Sequence, residues 1–208
     1  NNNIYANKAE QKVGWAAGRI PFAIFKARTQ CIGTPDQSKL YYDTLQITDY
    51  NHITDLVEAR EWDAKLVCIK NVHFTGQYDN NGTPTNCTTG DPETDGNANV
   101  FAPTTENMNY PQSRVIMDAQ DNWTLVSTSE YAKYAHFYLP ANNYWGNVVG
   151  ILGFYYDNGL NYNRYPPEAS DWSISIRSVD DLKLYDGDEH WLYDANGDYK
   201  PGYEYSKN

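Results

Sequence analysis

Trp172, Ile174 and Ile176 alternate with Ser173, Ser175 and Arg177. A period of two sends successive side chains to opposite faces, so this run predicts a strand with one face buried. Upstream, the apolar run from Val148 to Tyr156 is broken by Gly150 and Gly153. It is too short and too rich in glycine for a helix, and glycines inside a strand mark a bulge or the bend at a barrel corner. A polar turn region carrying Pro166 and Pro167 separates the two runs. Residues 147–185 therefore predict a long hairpin that closes a small β-barrel.

The other elements follow from the same patterning. Lys65–Phe74, KLVCIKNVHF, is β-branched and apolar and has the length of a strand. Arg114–Met117 and Trp123–Val126 predict two short strands around the turn DAQDN. Ser127-Thr128-Ser129-Glu130 matches a capping box, which predicts a helix over Tyr131–Tyr138 that Pro140 ends. In residues 48–62 the period changes: Ile53, Leu56, Val57 and Arg60 share a helical face, with Asp49 or Thr54 as cap. Ile20–Phe25, interrupted by Pro21, predicts an edge strand, and Tyr41–Ile47 another. The order strand, two strands, helix, two strands is that of an all-β fold with minor α content: an OB-like five-stranded Greek-key barrel with a capping helix, preceded by a partial β region. The predicted divisions are a β-rich N-terminal region over 1–47, compatible with the end of a preceding barrel, the OB-like barrel over 48–185, and a Tyr-, Asp- and Gly-rich tail over 186–208 that wraps the domain or lies loosely.

Composition narrows the choice of partner. The 208 residues suffice for one large or two small domains, and at 40% hydrophobic and 21% charged the chain reads as folded. A formal net charge of -11 leaves no basic patch to neutralise phosphates, so nucleic acid is not an expected partner, nor is an anionic membrane surface. No apolar run approaches the roughly 20 residues that span a bilayer. The 19 Tyr, 6 Trp and 6 Phe, set among many Asn and Asp, admit two readings. The simpler is that barrels use Tyr and Trp as strand formers; the other is a surface that stacks on sugars or peptides. In the turn NNYW, Tyr144 and Trp145 are the candidate ligand- or partner-binding residues, with packing at the barrel end as the alternative.

The polar stretch 75–100 predicts a long loop, and loops of that length are functional or disordered. Within it Asp91, Glu93, Asp95 and Asn97 alternate, with Gly96 in the sixth position, as at the opening of a calcium loop. The twelfth position is Ala102 rather than Glu, and Asp194, Asn196 and Asp198 repeat the pattern without closure. Solvated acidic turns are the simpler reading; calcium is a candidate cofactor at Asp91, Glu93, Asp95 and Asn97, with Asp194, Asn196 and Asp198 as a second candidate, and no other cofactor is expected. Cys68, in an apolar run, reads as a buried small hydrophobe. Cys31 and Cys87 could pair, although three cysteines without a C-x-x-C give no zinc or redox signature. There is no G-x-S-x-G, H-E-x-x-H or phosphate loop, and the histidines at 52, 73, 136 and 190 are scattered. No catalytic residue is proposed, and the chain is not expected to be an enzyme.

ITDYNHITDLVEAREWDAKLVCIKNVHFTG resembles the lead-in and first strand, and the later VVGILGFYY and WSISIRSVDDLKLY the closing hairpin, of an OB-like family of unknown function found in surface lipoproteins of Bacteroidetes. The resemblance covers residues 48–185. Residues 4–33, ending in GRIPFAIFKARTQCIG, are similar to the end of a preceding barrel in such proteins. The resemblance implies a lipid-anchored protein at the outer membrane, facing outward, and a place as a non-catalytic accessory of a SusC/SusD-like TonB-dependent complex that imports glycan or peptide. The membrane would be reached only through a lipid anchor that this chain, beginning at Asn1, does not carry. Asp43-Thr44-Leu45 matches the Asp–Ser/Thr–aliphatic pattern of O-glycosylated exported proteins in those bacteria, which makes Thr44 a candidate. The family's motifs are structural and carry no site residues over, and the loop 75–100 is an insertion against its pattern. The alternatives are a free-standing glycan- or peptide-binding surface module and a structural spacer domain.

Overall fold

The computed structural model describes residues 22–30, 32–34, 36, 40–53, 55–78, 84–92, 94–103, 112–154 and 171–203. The longest strand, β2 (Leu66–Tyr78), is thirteen residues, several more than the apolar run suggested. It serves both halves of a barrel. Its first part, Leu66–Ile69, pairs antiparallel with β6 (Trp145–Phe154). Its second part, Val72–Gly76, pairs antiparallel with β4 (Gln112–Asp118). The register breaks between these parts, where Asn71 has φ 56, and again before Gly76 at φ 126. Such breaks bend a strand and increase its twist, which lets one strand curl around a barrel.

The ring closes through short neighbours. β4 pairs antiparallel with β5 (Trp123–Thr128), and β5 pairs parallel with β7 (Trp172–Ser175). β7 pairs antiparallel with β6, which returns to β2. This is a closed five-stranded barrel with extra strands, an OB-like all-β fold. The extra strands are β1 (Asp43–Leu45), parallel to β2; β3 (Pro84–Thr85), against the end of β2; β8 (Leu182–Asp186), against β6; and β9 (Glu189–His190), against β8.

The predicted alternation fills the barrel. Trp172, Ile174 and Ile176 point inward with Val72, Phe74, Ile116, Val126, Val148 and Leu152. Each such side chain contributes about 1.5–3 kcal/mol by burial. At Gly150 the register with β2 runs on without a bulge, and the glycine marks a close approach instead: a Cβ there would lie 2.5 Å from Ile174 Cγ2 and 2.8 Å from the Ser175 carbonyl oxygen. The barrel closes at that point by bringing two backbones within reach of each other.

Several expectations are corrected. Residues 131–138 do not form a helix; they run as successive turns. Ser129 does receive the Tyr131 N–H at 3.2 Å, but the chain beyond it pairs with the loop before β4. Phe101 N–H donates to the Phe137 carbonyl at 3.2 Å, Ala102 N–H to Ala135 at 2.8 Å, and Leu139 N–H to Asn99 at 3.0 Å. Tyr134, Phe137 and Leu139 still plug the barrel core where the capping helix was expected. A long-range ladder has displaced the local one. In the N-terminal region Phe22–Arg28 is a helix, α1, rather than an edge strand. Pro21 suits a helix start as well as a strand edge, and Lys26 and Arg28 fall in the last turn, where cations are favoured. The helix in 48–62 is α2 (Leu56–Trp62), capped not by Asp49 but by Asp55, which receives the Glu58 N–H at 3.0 Å. Asp49 instead ends a single 3₁₀ turn, Ile47–Asp49, and receives the Gln46 N–H at 2.7 Å. Thr54 lies outside the described residues.

The chain divides into two units, residues 1–40 with 157–163, and residues 41–156 with 164–208. The first contains α1. The second contains the barrel together with β1 and the tail, which wraps: Trp191 and Leu192 are buried in the core, and Trp191 Nε1 donates to the Leu182 carbonyl at 3.2 Å.

Candidate functional site

The turn before β6 delivers two aromatic residues to different places. Tyr144 is half-buried and packs on the core. Its hydroxyl donates to Glu189 Oε1 at 2.9 Å, and Lys200 Nζ sits 5.3 Å from its ring centre while pairing with Glu189. That pairing, with the Tyr144 hydroxyl, holds the Glu189 carboxyl below its ordinary range. Tyr144 therefore belongs to the framework that ties the tail to the barrel. Trp145, the next residue, faces outward and is 37% exposed.

Trp145 does not stand alone. It lies directly opposite Tyr185 on β8, which is 42% exposed. Opposed residues on antiparallel strands place their side chains on the same face about 5 Å apart. On the other side His73 of β2 stacks on the Trp145 ring, with centroids 4.1 Å apart and planes 28° off parallel. Beyond Tyr185, its cross-strand partner His190 on β9 meets it edge-on at 4.9 Å. The result is a row, His73–Trp145–Tyr185–His190, across four strands of one sheet. Burial lowers the pKa of both histidines, so both are neutral near pH 7. Asn143 Nδ2 donates to Asp186 Oδ2 at 2.7 Å, a further tie between the turn before β6 and the end of β8. The partly exposed rings of Trp145 and Tyr185 can stack on the C–H face of a sugar.

The predicted loop 75–100 begins as strand, since β2 runs to Tyr78, and its described later part is fastened down. Arg114, buried in the middle of β4, donates from Nε to the Val100 carbonyl at 2.8 Å and from Nη2 to that of Ala98 at 3.2 Å. Asp91 is exposed; its carbonyl receives the N–H groups of Thr94 and Asp95. The Asp95 carboxylate receives the Thr88 hydroxyl and, at 2.8 Å, the Asn97 N–H, and these bonds hold it below the usual carboxylate range. Glu93 lies outside the described residues. Among the described residues no three His, Cys, Asp or Glu side chains gather as a metal site. At the second acidic turn, Asp194 Oδ1 receives the N–H groups of Asn196 and Asp198 at 2.8 and 3.0 Å, and Gly197 supplies φ 84. Both motifs thus spend carboxylate oxygens on their own turns.

Thr44 is exposed and lies opposite Cys68 in the β1–β2 register, next to Leu45, which is buried in the core. Cys68 is buried as expected, and Cys87 is a half-buried free thiol whose pKa burial raises. Cys31 lies outside the described residues.

Of the two aromatic residues singled out from sequence, one forms the surface and one supports it. His73 and Tyr185 were missed. Tyr185 alternates with the buried Leu184 and Leu182, which marks it as outward-facing, but only the β6–β8 register shows that it meets Trp145. Comparison with family models, curated proteins and solved structures finds no match to this chain.

Proposed function

We propose that the chain is a non-catalytic glycan-binding module whose contact surface is the row His73–Trp145–Tyr185. The observation that carries this reading is the cross-strand pair of exposed rings, Trp145 and Tyr185, with His73 stacked against Trp145 to set its plane. Two rings side by side on a rigid sheet present a preformed strip, and a preformed surface loses little conformational entropy on binding. The net charge of -11 favours neutral ligands over polyanionic nucleic acid on this surface. Glycan is preferred to peptide because recognition here rests on outward-facing rings, whereas peptide commonly adds along a free strand edge.

In the wider reading, carried by the resemblance of residues 48–185 to Bacteroidetes surface lipoproteins, this module is an accessory of a SusC/SusD-like uptake complex at the outer membrane and helps retain its glycan cargo. Binding is tested by calorimetric titration of soluble polysaccharides into the full chain and into Trp145→Ala and Tyr185→Ala. The expected result is about tenfold or greater weakening in each variant, a loss of about 1.4 kcal/mol. Equal affinity in wild type and both variants would refute the surface. Association is tested by purification from native outer membranes in mild detergent: recovery with a TonB-dependent barrel supports the accessory role, and recovery alone, while other transporter complexes survive, removes it.

A further inference from the structure

We infer that the aromatic row has a second contact point, Tyr199 in the C-terminal tail, and that its ligand is a neutral glycan chain of several units rather than a single sugar. This rests on the reading of Trp145 and Tyr185 as a glycan surface and extends it. The row does not stop at His190. Tyr193 lies 4.9 Å from the His190 ring with planes 33° apart, and Tyr199 lies 5.2 Å from Tyr193 with planes 29° apart. Local chain geometry explains the second pair. Asp194 N–H donates to the Asp198 carbonyl at 2.9 Å and Lys200 N–H to that of Leu192 at 2.9 Å, so residues 192–200 double back around a turn in which Gly197 has φ 84. The fold-back sets Tyr193 directly opposite Tyr199, with both side chains on the same face of the tail hairpin.

The two ends of the row are built alike. Trp145 and Tyr199 are each 37% exposed, and each is backed by a half-buried ring nearly parallel to it, His73 behind Trp145 and Tyr193 behind Tyr199. Tyr193 is held in turn by its hydroxyl, which donates to Asp180, and Phe137 meets Tyr199 edge-on at 6.2 Å. Between the ends stand Tyr185 and His190, the latter fixed by the Leu192 and Tyr193 N–H groups on its Nδ1. From Tyr185 to Tyr199 successive rings are 4.9, 4.9 and 5.2 Å apart. A pyranose is about the size of one aromatic ring, so a single unit covers one step and only a chain reaches from Trp145 to Tyr199. Holding one chain at two points makes the second contact intramolecular and raises affinity. The next outward pair along β6 and β8, Asn147 opposite Lys183, sets hydrogen-bonding groups on the same face as Trp145 and Tyr185. Asp180 beside Tyr193, in a chain with net charge -11, favours a neutral chain over an acidic one.

The test is calorimetric titration of the full chain with soluble β-glucan, xylan, galactomannan and starch, and with two-unit and six-unit fragments of each. The variants are Trp145→Ala, Tyr199→Phe and Tyr199→Leu; the last keeps an apolar contact for Phe137 but removes the flat ring. For the polysaccharide that binds, the six-unit fragment should bind at least about tenfold tighter than the two-unit one. Tyr199→Leu should abolish that gain and leave two-unit binding unchanged, Tyr199→Phe should behave as wild type, and Trp145→Ala should weaken both fragments. Equal affinity for the two lengths, a six-unit affinity that Tyr199→Leu does not alter, or an equal loss for both lengths in Tyr199→Leu would overturn the second contact point while leaving the Trp145 surface in place. Binding by none of these polysaccharides, or binding that ignores Trp145→Ala, would remove the surface and the inference together.

Discussion

Nε of Arg114 donates to the Val100 carbonyl at 2.8 Å, joining a strand in the barrel wall to a loop fourteen residues earlier. Arg114 is 1% exposed. Burial works against its charge, yet a guanidinium stays protonated in proteins, so the cost is met by carbonyl dipoles from Val100 and Ala98. Arg114→Met keeps much of the volume and removes the donors. The Val100 carbonyl would be left buried and unpaired at about 1–3 kcal/mol, while that of Ala98 keeps the Val100 N–H at 2.7 Å. The expected outcome is a loss of about 1–3 kcal/mol in urea unfolding, with new protease cleavage within 86–103. Unchanged stability together with unchanged cleavage would show that the loop is held by other contacts.

Glycines 150 and 153 look equivalent in the run Val148–Phe154 but differ in their surroundings. A Cβ at Gly150 would meet Ile174 Cγ2 at 2.5 Å and the Ser175 carbonyl at 2.8 Å; at Gly153 the nearest atoms are 3.6 Å away. Gly150→Ala should therefore destabilise the barrel by about 1–3 kcal/mol, the cost of overpacking, and Gly153→Ala should leave it within about 0.5 kcal/mol of wild type. Thermal unfolding of the pair checks this. Similar midpoints for the two variants would contradict the close approach at Gly150.

The barrel was legible because its strands carry local signals: Trp172-Ser-Ile-Ser-Ile states by its period which face is inside, and Leu66-Val-Cys-Ile, buried from Val67 to Ile69, is apolar throughout. The turn at Asp118–Asn122 was legible for a similar reason, since its signal is local. The segment after Ser129 was not. Its capping pattern is sound as far as Tyr131, but the alternative partner for its backbone lies more than thirty residues away at Asn99–Ala102, and no local rule registers that competition. The candidate surface shows the same limit. Trp145 could be noticed as an aromatic residue in a polar turn, whereas its partners His73 and Tyr185 come from strands whose register the sequence does not display.

The Asp118 turn gives a more local prediction. Asp118 Oδ1 receives the Gln120 and Asn122 N–H groups at 2.9 and 3.0 Å, and Asn122 Nδ2 reaches Oδ2 at 2.9 Å. Asp121 sits at φ 63, a conformation that favours glycine. Asp118→Ala should cost about 1–2 kcal/mol, comparable to loss of a helix cap. Asp121→Gly should cost little or nothing, because the released strain offsets the greater freedom of the unfolded chain. Urea midpoints of the two variants measure both, and a larger loss for Asp121→Gly than for Asp118→Ala would invert the assignment.

The last prediction concerns acid. Nδ1 of His190 accepts the N–H groups of both Leu192 and Tyr193, at 3.1 and 3.2 Å, and so organises the turn that buries Trp191 and Leu192. A protonated Nδ1 would present a hydrogen to two donors. Burial lowers the His190 pKa most, with Lys183 and Lys200 adding to the shift; the Leu182 backbone and Asp180 act the other way. His73 is lowered in the same direction, again chiefly by burial. For a histidine held below its unfolded value of about 6.5, the unfolded chain takes up the proton first. Stability is then at its full value above that pH and falls as pH drops through it toward the folded-state value. Urea midpoints should decline from pH 7.5 to pH 5.5. His190→Asn keeps an acceptor near the Nδ1 position and cannot titrate, so it should flatten part of that decline, with His73 supplying the remainder. A variant that retains the full wild-type pH dependence would show that the His190 turn is not the element acid loosens.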